Sequence, residues 1–109
     1  SLDIKRDLGD RKGEAQSLEG LGLVAHELGE YERAREYYET ARNQYSQLGT
    51  IRDELRVRHH RIRLEAAADN HERAREWCEA AFERLDSLDR ALPEEREAFE
   101  ALCDDIDEE

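Results

Sequence analysis

Apolar residues recur at helical spacing along this chain, and its own punctuation cuts them into five stretches. Leu18, Leu21, Ala25 and Leu28 define one side of a helix over about 11–28, with Asp10 as its N-cap and Gly29 ending it in a left-handed turn. Ala34, Tyr37, Tyr38, Ala41, Tyr45 and Leu48 line a second helix over about 31–48, closed by Gly49. Thr50 caps a third over about 51–68, Asp69-Asn70 breaks it, and a fourth runs over about 71–91. Pro93 fits the first turn of a fifth, about 93–106, where a missing N–H costs nothing. Residues 1–8 read as the last turns of a helix from a preceding repeat. Six glycines and one proline leave little material for strand turns, so the fold class is all-α.

Sliding the chain against itself by forty positions gives matches in register. Leu48-Gly49 falls on Leu8-Gly9, Glu54 on Glu14, and Glu72-Arg73-Ala74-Arg75-Glu76 on Glu32-Arg33-Ala34-Arg35-Glu36. Ala81 and Leu88 fall on Ala41 and Leu48. A fixed period of this size predicts stacked helix pairs, because neither helix of a pair hides its apolar side alone. The chain then reads as one domain: repeat 1 over 10–49, repeat 2 over 50–91, and a partial third repeat or capping helix over 93–109.

Around Leu18, Leu21-Gly22, Gly29-Glu30-Tyr31, Ala34, Tyr38 and Ala41 the chain resembles the tetratricopeptide repeat family, in a long variant of about forty residues against the usual ~34. Gly22 and Ala34 are small where paired helices approach closely, and Tyr38 is bulky where a gap must be filled. The second repeat departs from the pattern: Arg58, Arg61 and Ile62 stand at the large-apolar, Leu and Gly positions, and Cys78 replaces the aromatic. Helix 51–68 is therefore expected to be shifted or loosely packed. The resemblance implies a right-handed α-solenoid of antiparallel helix pairs acting as a non-catalytic protein-interaction scaffold.

Charge narrows the partners. Acids outnumber bases 29 to 17, a formal −12, and 42% of residues are charged against about 25% in ordinary chains. Nucleic-acid phosphates and anionic membrane surfaces repel such a chain. No apolar run approaches the ~20 residues of a membrane span, and no secretory signal pattern appears. The expected compartment is the cytoplasm. Fifteen of the 17 bases are arginine, and an acid-rich, lysine-poor surface suits concentrated salt, which suggests a halophilic source. The opening Ser1 suggests a segment of a longer protein.

In the solenoid that the resemblance implies, the first helices line a concave groove. Its candidate contacts are Leu23, His26, Arg56, His59, Arg63, Arg96 and Phe99. From Arg52 to Arg63 five arginines and two histidines face only Asp53 and Glu54, a local +3 that fits an acidic peptide through bidentate arginine contacts. The competing reading pairs these arginines with glutamates on adjacent helices. A chaperone-type carboxylate clamp would require Glu19, Leu23, His60, Arg96 and Glu100 to act as its lysine, asparagine and arginine set, and only Arg96 fits. A second functional reading is a structural spacer whose apolar flanks pair two copies as a homodimer.

Chemistry beyond binding finds no footing. His59 and His60 are adjacent, so they diverge by about 100° and do not converge on a metal. Asp104, Asp105, Asp107, Glu108 and Glu109 lack the glycine-centred loop of a calcium hand. Two cysteines are too few for a disulfide framework; Cys78 reads as core filler, and Cys103 as the more accessible but without a general base. No cofactor or metal is expected, and no catalysis within this segment.

Overall fold

The computed structural model describes residues 8–107, and among them the chain forms five helices and no strand: α1 (Leu8–Glu27), α2 (Tyr31–Leu48), α3 (Ile51–Ala67), α4 (His71–Asp86) and α5 (Pro93–Asp107). None is long and apolar enough to cross a membrane. Residues 1–7, expected to end a preceding helix, lie outside the described residues. Leu8 already belongs to α1, so Asp10 is a first-turn acid that complements the helix dipole rather than a cap.

Three turns share one geometry. At Gly29 and Gly49, both at φ +77, the following residue bonds back five positions, Glu30 N to Ala25 O and Thr50 N to Tyr45 O. Asp69 does the same at φ 66, with Asn70 N reaching Glu65 O at 2.8 Å. Each is a helix terminator that satisfies orphan carbonyls through one left-handed residue. Thr50 is not the side-chain cap expected of it, because its hydroxyl donates backward to the Tyr45 carbonyl at 3.3 Å. Helix α4 stops at Asp86, five residues early. There the Ser87 hydroxyl donates to the Arg84 carbonyl at 2.7 Å, offering the backbone a non-helical alternative, and Pro93 disfavours helix at Leu92.

The chain divides into two compact units, Ser1–Val57 and Arg58–Glu109, with the boundary inside α3. In the first, α1 and α2 pack antiparallel. A Cβ on Gly22 would lie 2.5 Å from Cε1 of Tyr38, so glycine is required for that close approach. In the second unit, α4 and α5 run antiparallel, with Asp86 bonded to Arg96 at 2.6 Å near one end and Arg75 facing Asp107 at 3.5 Å near the other.

Burial repeats at the sequence period. Ala34, Tyr38, Ala41 and Tyr45 are the buried residues of α2, and Ala74, Cys78, Ala81 and Leu85 those of α4. Helix α3 is not loose: Leu55, Val57, Ile62 and Leu64 are all fully enclosed. At the positions of Gly22 and Tyr38 the second period has Ile62 and Cys78, both buried, so the large residue stands on α3 and the small one on α4.

Cys78 and Cys103 form a disulfide that joins α4 to α5, with Cα atoms 6.1 Å apart. Cys78 is buried, as its reading as core filler expects, though it is also bonded; Cys103 is buried too, which corrects its reading as accessible. Forty-residue spacing says nothing of this bond, since Cys103 lies in α5, beyond the second period. Disulfides persist mainly in oxidising compartments, which weighs against the cytoplasmic expectation.

Candidate interaction surface

The basic segment of α3 is largely engaged within the chain. Arg56 donates through Nε and Nη2 to both oxygens of Glu19, at 2.7 and 2.9 Å, and pairs with Asp53 at 2.9 Å. The hydrogen bonds to Glu19 outweigh partial burial and hold the guanidinium still more firmly protonated than usual. Glu19 is buried and also accepts from the Tyr45 hydroxyl at 3.0 Å. Burial, then this bond to a carboxylate, pushes Tyr45 far above the ordinary phenol range. Arg61 pairs with fully buried Glu65 at 2.8 Å and lies 4.6 Å from the Trp77 ring centroid, while Arg58 stands 6.0 Å from the same ring. Asn70 donates to the other Glu65 oxygen at 3.1 Å.

The remaining groove candidates divide similarly. His59 is half-buried against Phe99, ring centroids 5.6 Å apart. Burial first, then neighbouring His60 and Arg63, lowers its pKa, so it is neutral at pH 7 and offers an acid no charge. Phe99 also meets Phe82 and is 2% exposed; it has no apolar surface to present, contrary to its expected role. Arg96 is tied to Asp86, and His26 meets Tyr31 edge-on at 5.8 Å. Arg63 projects into solvent with no hydrogen bond or ion pair among the described residues, and Leu23 is exposed. Asp104 and Asp105 are exposed, Asp107 faces Arg75, and Glu108 and Glu109 lie outside the described residues.

The surface that sequence reasoning missed is on α1. Leu21, Val24 and Leu28 are 47%, 57% and 68% exposed, and their spacing of three, four and seven places them on one side. Leu21 and Leu28 were expected to face the partner helix. The side that packs on α2 is instead built from Ala15, Glu19, Gly22 and Ala25, which are buried. Small residues there let the helices approach, and that turns the leucines outward. The signal was present in the sequence: Gly22 marks the contact side, and Leu21, one residue away, points about 100° off it. Neither a protein-family model, nor a curated protein, nor a solved structure matches this chain.

Proposed function

We propose that this chain is a non-catalytic protein-interaction module, a right-handed solenoid of antiparallel helix pairs of the tetratricopeptide type. The forty-residue recurrence of buried positions in α2 and α4 supports a repeat architecture. The observation that carries the binding role is the exposed strip Leu21, Val24 and Leu28, in a chain whose apolar content is only 38%. Single exposed leucines are ordinary on protein surfaces; two leucines and a valine contiguous on one helix side mark a contact area.

Apolar docking through α1 is better supported than capture of an acidic peptide by α3. Arg56 is held by Glu19 and Asp53 and His59 is neutral, which leaves Arg63 as the cation of that trio with no carboxylate partner among the described residues. The module reading is tested by immobilising the chain and a Leu21→Ser/Leu28→Ser variant, then comparing proteins retained from an extract of the source cells by quantitative mass spectrometry. The expected result is a partner held by the parent and lost by the variant, with Arg63→Glu retaining it. Identical profiles for parent and serine variant overturn the reading.

A further inference from the structure

Resting on the module reading, we propose that the open side of α1 docks an amphipathic helix of a partner protein whose apolar strip is bordered by lysine or arginine. Val24 stands at the centre of that side, with Leu21 and Leu28 on one flank and Ser17 two turns back. Gly13 and Gly20 share it, and a Cβ built on either meets nothing within 4 Å. Glycine is the poorest helix former after proline, and no described residue requires these two as Tyr38 requires Gly22. Their missing side chains leave a trough along α1 in which the ridge of a second helix can settle.

The second period supplies the comparison. The counterparts of Ser17 and Val24 on α3 are Val57 and Leu64, both buried, and those of Gly20, Leu21 and Leu28 are His60, Arg61 and Ala68, all half-buried. Along its centre the same helix side is buried in the second period and exposed in the first.

The two ends of the trough are acidic. Asp10 and Glu27 are exposed near its two ends, and Glu27 has no ion-pair partner among the described residues. The cations of α1 are turned elsewhere: Arg11 donates to Gln47 at 2.9 Å and Lys12 lies 3.8 Å from Asp53. From Asp10 to Glu27 the helix rises about 26 Å, so the matching occupant is a helix of about eighteen residues with positive borders. A second copy fits poorly. Antiparallel pairing of two such sides sets Asp10 against Glu27, and parallel pairing sets Glu27 against Glu27.

The test uses two labelled synthetic helices of about eighteen residues with the same leucine-alanine strip, one bordered by lysine and one by glutamate, in fluorescence anisotropy. The lysine helix is expected to bind at least ~10-fold tighter than the glutamate helix. Val24→Asp/Leu28→Asp should weaken it by at least ~10-fold. That variant adds two acids, so non-specific attraction would change in the opposite direction. Gly20→Gln fills the trough with a better helix former, so lost binding there does not come from unfolding; circular dichroism melting checks both variants. Preference for the glutamate helix, abolished by the aspartates, overturns the charge assignment and leaves the module reading standing. Lysine-helix binding that both variants leave intact, or no binding of either helix, overturns docking on this side; the module reading falls with it only if extract capture is also unchanged. Light scattering that shows a dimer abolished by the aspartates assigns the side to a second copy and overturns the proposal.

Discussion

A methyl group at residue 22 has nowhere to go, while one at residue 20 has open space. Gly22→Ala is therefore expected to destabilise the chain by about 1–3 kcal/mol through overpacking against Tyr38. Gly20→Ala should stabilise it by up to ~1 kcal/mol through helix propensity alone. Urea unfolding of both variants checks the pair, and a shift of the same sign in both would contradict the packing described. Glu19 holds two elements at once, so Glu19→Ala should cost about 1–3 kcal/mol by leaving the Tyr45 hydroxyl without its acceptor. Tyr45→Phe added to it should cost far less than it does alone, a coupling that a double-mutant cycle reads directly. His59 sets a pH dependence. Its pKa lies below the ordinary 6.5 when folded, so the unfolded chain binds more protons as pH falls past that value. The stability from neutral His59 is complete above 6.5 and is lost as pH falls through the depressed value. A His59→Leu variant should show a shallower loss than the parent when unfolding is measured near neutrality and near pH ~5.5.

Among the elements, what repeats is legible in the sequence and what is exchanged between repeats is not. Gly29, Gly49 and Asp69-Asn70 mark the turns because a left-handed residue ends each helix, and local chemistry alone dictates that. Bounds for α2, α3 and α5 follow within a residue, whereas α4 overran because Ser87 competes for the backbone through one hydrogen bond that spacing does not reveal. Ile62 and Cys78 look like departures from a pattern when read singly, yet both are buried, as Gly22 and Tyr38 are in the first period. The exposed strip on α1 stayed hidden for a related reason: Leu21 and Leu28 fit a helical apolar series, and only the contact at Gly22 shows which side faces α2. Groove residues fared worse, since the pairing of Arg56 with Glu19 spans 37 positions and no local rule encodes it. The disulfide is equally non-local. It closes a loop of 25 residues, for which the chain-entropy relation gives about 3.5 kcal/mol, so unfolding in a dithiol reductant should reveal a loss of that order. Cys103→Ser should show the loss without reductant and no further change with it.

Across the whole molecule the negative charge is unevenly shared. Residues 1–57 hold 12 acids and 9 bases, a net −3, while residues 58–109 hold 17 acids and 8 bases, a net −9. Self-repulsion therefore concentrates in the unit containing α4 and α5. Raising NaCl from about 0.1 to about 1 M shortens the screening length from ~10 to ~3 Å. Hydrogen exchange should slow more in α4 and α5 than in α1 and α2 over that range, and an equal response in both would count against charge as the cause. The bond between Cys78 and Cys103 has a consequence for the connection it spans, where Asp89, Arg90 and Ala91 are exposed. A protease that severs the backbone after Arg90 releases nothing. The tail stays leashed by sulfur, and the nicked protein migrates as one species on a gel until a thiol frees the fragment.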